Sequence, residues 1–475
     1  MFPTRHRLIV AVLFASTWFG CAQTPVRIAT FTNRFNAMDE FGASITGVGG
    51  SAVAVGAPKD NNLNNRGGAV YIFSTSGALM TYITNPAPVP SSEFGQAVAA
   101  LGNDRVIVGS YRTTSSLVGR AHLFSTNGTR LLTLTNPNPV TSDWFGYSVA
   151  GVGADKIFVG APLHFFNGSP GAAYLFDTNG VLLRTFTSSV SSGFGWAVAG
   201  LGSDRLLVRV LNDASPPARA AFLYHINGTL LATFNTNGSS SSASSSSRMT
   251  VAAVGTDKLL IGNPAENIAI DGVFVSSGAA YLYDTNGNLL SRFLSPWPQT
   301  ASQFGRSISA VGTNKVLIGA FANGSGLAFT FALDGTWLST FAVPSDNDAI
   351  DDNFGYAVTS VGENRVAIGA KNRSGNYPNS GEAYLFTAGA DAPVLTIAPS
   401  APPYFCAPDV RCIDVKIMWP APATGFVLER TSAFTGALGT GTWVPVSEPY
   451  NRTATGVWVN ITPAQGTSFY RLRIP

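Results

Sequence analysis

The chain has 475 residues, a formal net charge of +3 and only 12% charged residues, with 50 glycines. Its 29 basic residues are scattered singly, which excludes the clustered electrostatic footprint of a nucleic-acid binder. The abundance of Gly, Ser, Thr and Asn marks a neutral, turn-rich β-protein, long enough for more than one domain.

The N-terminus carries Arg5 and Arg7, an apolar stretch from Leu8 to Phe19, and the small residues Gly20 and Ala22. Residues 1–22 read as a secretory signal, too short for a membrane span, and cleavage after Ala22 releases a soluble exported protein. Lipidation of Cys21 is the alternative and the sole route to a membrane, although Trp18-Phe19-Gly20 fits the usual lipoprotein pattern poorly.

From residue 41 onward one unit recurs. Phe-Gly stands at Phe41, Phe94, Phe145, Phe194, Phe304 and Phe354, and a degenerate copy starts at Ser247-Arg248. The seven starts are 53, 51, 49, 53, 57 and 50 residues apart, the period of a four-stranded propeller blade. Within a unit the strands are an alternating segment such as "YSVAGV", an apolar run such as "KIFVGAP", then "GAAYLF", a turn "DTNG" and "VLLRTF". Asn-Gly at Asn127, Asn179, Asn227 and Asn286 predicts type I′ hairpins between the third and fourth strands.

The third strands share an aromatic column: Tyr71, His122, Tyr174, Phe222, Tyr281, Phe329 and Tyr384. His122 fills a slot held elsewhere by Tyr or Phe, so it is read as a packing residue and not as a catalyst. The segment Pro25 to Asn33 has the pattern of a fourth strand, and is expected to supply the outer strand of the seventh blade, closing the circle.

These units resemble the FG-GAP repeats of integrin α-subunits and of many secreted bacterial proteins, over about residues 25–390. The landmarks are clear in Phe41-Gly42 with Gly56-Ala57-Pro58 and in blade 3, and partial in Gly319-Ala320 and Gly369-Ala370; "GSY" and "VRV" replace Gly-Ala-Pro in blades 2 and 4. The resemblance implies a seven-bladed propeller over residues 23–391 and, in calcium-binding members, an acidic loop between the first two strands. The corresponding turns here are "GNDR" from Gly102, "GADK" from Gly153, "GSDR" from Gly202, "GTDK" from Gly255, "GTNK" from Gly312 and "GENR" from Gly362. One or two carboxyl groups beside a cation fall short of calcium's six to eight oxygen ligands, so these read as tight hairpins whose basic residue points to solvent.

Loops joining strands 1–2 and 3–4 are short and lie on one face; those on the other face are long and variable, the place where binding residues concentrate. On that long-loop face the expected ligand-binding residues are His164, Phe165, Phe166, Trp297 and Tyr377, in Pro- and Asn-rich loops suited to stacking on a sugar or anchoring a protein. Trp144 adjoins a Phe-Gly landmark, and packing under its own loop is an equal reading. No cofactor is expected; Asp346, Asp348, Asp351 and Asp352 form the one dense acidic cluster, a weak candidate for a single metal ion.

After residue 391 the period stops, and 392–475 read as a small β-sandwich of immunoglobulin or fibronectin-III type, resembling a module that ends many secreted bacterial proteins. Trp419, Phe426, Leu428, Trp443, Phe469 and Leu472 form its expected core. Cys406 and Cys412 are spaced for a small disulfide-closed loop in an oxidising compartment. The whole is expected to be an all-β, exported, monomeric recognition or adhesion protein that binds a protein or polysaccharide without turning it over. The alternative is a carbohydrate-active lyase or hydrolase at the propeller mouth, with His164 contributing.

Overall fold

The computed structural model describes residues 10–12, 25–33, 38–61, 67–87, 89, 91–112, 118–162, 170–188, 191–210, 212–213, 219–235, 250–270, 273–321, 326–343, 352–374 and 378–389. It also describes the C-terminal segments 396–399, 404–407, 410–412, 415–420, 427–431, 444–446, 451–452, 456–461 and 468–473. The chain divides into two compact units, Gln23–Gly389 and a second made of Met1–Ala22 with Ala390–Pro475.

The first unit is a seven-bladed propeller. Blade 3 is typical: Ser148–Val152, Lys156–Ala161, Ala172–Asp177 and Leu182–Thr187 pair antiparallel in that order. The degenerate fifth copy forms the same sheet, from Thr250–Val254 to Leu289–Leu294. In each blade the second and third strands are almost wholly buried apolar runs, because sheets cover them on both faces; the fourth alternates toward solvent. The first strand of each blade lies beside the first strands of both neighbours, so seven of them line the central axis.

The ring closes as expected. Arg27–Thr32 is the outer strand of blade 7, pairing antiparallel with Glu382–Thr387 so that Thr30 faces Tyr384 and Thr32 faces Glu382. Phe31 is fully buried, its ring 4.8 Å from Phe73 of blade 1, so the same strand also ties the last blade to the first.

The Phe-Gly landmark is an interface device. Each Phe is fully buried and meets the aromatic column of its own blade, as in Phe41 against Tyr71 at 5.3 Å and Phe145 against Tyr174 at 5.7 Å. The closing glycine of one blade presses on the landmark glycine of the next: a Cβ added at Gly56, Gly109, Gly160, Gly262, Gly319 or Gly369 would stand 1.9–2.2 Å from that neighbour's carbonyl oxygen. Hydroxyls reinforce the seam, Ser44, Ser148 and Ser307 donating to the carbonyls of Gly95, Gly195 and Gly355 at 2.6, 2.8 and 2.7 Å. Blade 4 departs from this: Arg209 occupies the closing-glycine position, opposite Ala197, and it abuts the one blade whose Phe-Gly is replaced.

Two turn expectations are corrected. In the Asn-Gly hairpins only the glycine has positive φ (Gly128, Gly180, Gly228 and Gly287), and the ladder shifts register beside the turn, as between Leu175 and Phe176. This is a type I turn with a glycine bulge, not type I′. The cause is visible at Asp177, whose carboxylate accepts the amides of Asn179 and Val181 at 2.9 Å each and holds Asn179 out of the left-handed region. In the "GNDR" type turns the arginines do not point to solvent. Arg105, Arg205 and Arg365 each cross to the next blade and donate to the carbonyls of Ala154, Thr256 and Gly50, at 2.6, 2.6 and 2.7 Å. Two of the lysines bond their own neighbour, Lys156 to Asp155 at 2.8 Å and Lys258 to Asp257 at 2.7 Å, while Lys315 is buried.

His122 packs as the column requires, 5.8 Å from Phe94, with Nδ1 3.0 Å from the Thr133 hydroxyl. Burial pushes its pKa down from 6.5 to about 4, with Arg120 and Arg130 adding to the effect. The unfolded chain therefore binds a proton that the native state refuses between these values, so His122 costs stability as pH falls from 6.5 toward 4. His122→Phe should remove about 3 kcal/mol of that acid sensitivity, read as the change in urea-unfolding free energy between pH 7 and pH 4 relative to wild type.

In the second unit, Thr396–Pro399, Val415–Pro420, Gly456–Ile461 and Asn451–Arg452 form one sheet in that order. Val10–Val12, Ser468–Arg473, Val427–Thr431 and Val444–Pro445 form another, with Val10–Val12 parallel to its neighbour. A leader cleaved after Ala22 would take that edge strand with it. Cys406 and Cys412 lie on the two strands of a short hairpin in which Tyr404 pairs with Cys412.

Candidate functional site

The residue two places after each Phe stands at the long-loop end of the first strand, where the seven strands surround the axis. Among the described residues this position is Ala43, Gln96, Tyr147, Trp196, Arg306 and Tyr356. The Phe-Gly turn aims it: Tyr147 N–H bonds the Trp144 carbonyl at 3.0 Å, and Tyr356 N–H that of Asn353 at 3.1 Å. Neighbours in this ring touch, Tyr147 against Trp196 with centroids 4.9 Å apart, and Arg306 over the Tyr356 ring at 5.2 Å.

A second layer comes from the residue two places after the closing glycine, which is Pro58, Pro162 and Pro264 in blades 1, 3 and 5 but Tyr111, Phe321 and Lys371 in blades 2, 6 and 7. Tyr111 meets Trp144 and Tyr147 edge-on, each at 5.2 Å, and Trp144 stacks on Tyr147 at 5.4 Å. Phe321 packs edge-on to Tyr356 at 5.0 Å, and Lys371 Nζ sits 4.3 Å from the same ring. Two clusters result, one over blades 2–4 built of four aromatic rings, the other over blades 6, 7 and 1 built of rings and cations. All but Tyr111 are half-buried, wedged between blades yet open on one side.

Acidic groups hold the surrounding cations. Glu40 accepts Lys59 at 2.8 Å and Lys371 at 3.5 Å. Burial works against its ionisation, but the charges of Lys371 and Lys59 outweigh it and hold the carboxyl below its usual value. Glu93 pairs with Arg112 at 3.2 Å and accepts the Tyr111 hydroxyl. Burial, with the Glu93 charge second, pushes the Tyr111 phenol well above its usual range, so it remains a donor.

The expected ligand residues fare differently. His164, Phe165, Phe166 and Tyr377 lie outside the described residues, as do Asp346, Asp348 and Asp351. Trp297 is 48% exposed but packs on Phe329 and Trp337, at 5.8 and 5.1 Å, in the third and fourth strands of blade 6, so it belongs to the rim and not to the mouth. Asp352 is buried and bonds Arg373 at 2.6 Å. Its place, two residues before Phe354, matches Asp143, which accepts the Phe145 amide at 3.0 Å and the Asn136 side chain at 2.6 Å. Both carboxylates are loop staples. Trp144 is part of the mouth. Sequence reasoning missed Tyr111, Tyr147, Trp196, Arg306, Phe321 and Tyr356; aligning the repeats column by column from Phe-Gly would have placed them side by side. It also missed Phe274, 74% exposed beside the turn of a hairpin between Asn267–Ile270 and Val273–Ser276, which extends the long loop of blade 5.

The FG-GAP repeat family matches residues 342–386, the repeat of blade 7. No curated protein matches the chain. Among solved structures, a chain of the mitotic checkpoint complex aligns over 82% of this chain and 99% of its own, at 10% identity and a TM-score of 0.47. The β-propeller domain of the Trilobed protease from Pyrococcus furiosus aligns over 69% of this chain and 90% of its own, at 13% identity and a TM-score of 0.42. TolB from Acinetobacter baumannii aligns over 64% and 66%, at 13% identity and a TM-score of 0.40.

Proposed function

We propose that this is an exported recognition or adhesion protein that holds a protein or polysaccharide ligand at the propeller mouth on its long-loop face. The observation that carries the reading is the pair of clusters around Tyr147 and Tyr356, rings held by contacts between blades and open on one side. Such rings are pre-organised, so binding loses little conformational entropy in ordering them. Export rests on residues 1–22, and the FG-GAP match accords with it, since such repeats occur in extracellular proteins.

A binding array of glycans and secreted proteins should yield a ligand that the Tyr147→Ala/Trp196→Ala protein holds at least tenfold more weakly, about 1.4 kcal/mol or more. A ligand held equally by both proteins would contradict the reading. The C-terminal sheets fit a β-sandwich used as spacer or surface attachment, with Cys406 and Cys412 closing its hairpin as a disulfide; unchanged cell association after loss of residues 392–475 would remove that role.

A further inference from the structure

The long-loop turns hold strained backbone at a repeated place. The residue just before the landmark phenylalanine lies in the left-handed region at Glu40, Glu93, Trp144, Gln303 and Asn353, with φ of 53, 51, 54, 53 and 55°. Blade 4 has Gly193 there, with φ of 69°, so the fold asks only for the conformation, which glycine adopts without strain. Other residues are unfavourable in it, asparagine least so, and side chains kept under such strain cluster at functional sites. A second left-handed residue two places earlier, Met38, Ser91, Ser142 or Ala301, shows that strain alone marks no contact.

What the side chains touch separates the five. Glu40 holds Lys59 and Lys371, Glu93 holds Arg112 and the Tyr111 hydroxyl, and Trp144 packs on Tyr111 and Tyr147. Charged groups in the same loops are engaged as well: Asp143 accepts the Phe145 amide, Asp352 bonds Arg373, and Arg306 donates to the Tyr356 hydroxyl at 3.4 Å. Gln303 and Asn353 make no side-chain hydrogen bond among the described residues, and neither does Gln96 at the ring position of blade 2. All three carboxamides are half-buried, on blades 2, 6 and 7 around the axis.

A carboxamide is uncharged and offers two N–H donors and a carbonyl acceptor, so it suits a neutral ligand whose groups both donate and accept, as hydroxyls do. We infer that Gln96, Gln303 and Asn353 are specificity-determining residues that hydrogen-bond the hydroxyls of a neutral polysaccharide at the mouth. An extended peptide repeats its N–H and C=O groups along a line, about every 7 Å on one side. The three carboxamides instead surround an axis, which matches hydroxyls radiating from a pyranose ring. This rests on the mouth being the binding site, as proposed above.

The test titrates the full-length protein calorimetrically with three neutral polysaccharides, laminarin, galactomannan and xyloglucan, and with polygalacturonate. At least one neutral polymer should bind, at least tenfold more tightly than polygalacturonate, and Gln303→Gly/Asn353→Gly should weaken it at least tenfold. That variant should melt at or above the wild-type temperature, because it relieves two left-handed side chains, and above Gln303→Ala/Asn353→Ala, which loses the carboxamides and keeps the strain. Gln96→Ala should weaken the polymer about threefold and leave the melting temperature unchanged. No binding of any neutral polymer, equal binding of polygalacturonate, binding unchanged in the glycine variant, or a glycine variant that melts below wild type would each overturn the inference. A protein from the array that binds and is lost in Tyr147→Ala/Trp196→Ala would overturn it too while leaving the mouth as the site. A ligand indifferent to that double variant would remove both.

Discussion

Deleting residues 25–33 abolishes the cooperative unfolding of the propeller. These residues include Arg27–Thr32, the outer strand of blade 7, and without it the edge of Glu382–Thr387 loses its partner. An unpaired edge is both an unsatisfied ladder and a template for aggregation. The fully buried Phe31 also leaves, taking its contact with Phe73 of blade 1. The milder Phe31→Ala removes that ring alone and should cost about 3–5 kcal/mol, the usual range for a buried phenylalanine. Urea unfolding followed by circular dichroism reads both: the deletion gives a broad or absent transition and the point variant a sharp one at lower urea. A deletion protein that melts like wild type would contradict the closure.

Gly369→Ala is expected to destabilise by about 3 kcal/mol, at the upper end of the cost of overpacking a tight interior. The new Cβ would stand 2.2 Å from the carbonyl oxygen of Gly42, and the atom it meets is backbone, which cannot swing aside as a side chain can. The φ of Gly369 is not left-handed, so the cost comes from forcing blades 7 and 1 apart rather than from local strain. Gly77→Ala is the control, since its φ of 95° is unfavourable but its nearest neighbour is a methyl group at 3.4 Å. It should cost about 1–2 kcal/mol, the strain of a left-handed non-glycine residue. If both variants unfold at the same urea concentration, the seam between blades is not the constraint. Blade 4 is consistent with this view: a side chain, Arg209, appears at the closing position only where the next blade has lost its Phe-Gly.

Blade number and closure were legible because each interface demands the same residues. A buried phenylalanine and two mutually pressed glycines recur at every seam but one, and "RIATF" carries the burial pattern of "LLATF", so the closing strand could be matched by eye. The turn chemistry was less legible, since the choice between type I′ and the bulged turn depends on whether a side chain such as Asp177 caps the turn amides. The reach of Arg105, Arg205 and Arg365 is a contact between neighbouring blades, 49, 51 and 315 residues apart in sequence, which a local reading of "GNDR" does not contain. The mouth was least legible. Its ring position runs Ala, Gln, Tyr, Trp, Arg and Tyr among the described residues, so no residue type marks it, and long loops drew attention to Trp297 on the rim instead.

Hydrogen exchange of the full-length protein, alone and with the ligand the array identifies, tests the mouth most directly. Binding there should slow exchange at the amides of residues 144–147, 196, 306 and 356 and leave the short turns at 102–105, 153–156 and 202–205 unchanged. Protection confined to the short turns or to the outer strands, with the mouth amides exchanging as in the free protein, would contradict it.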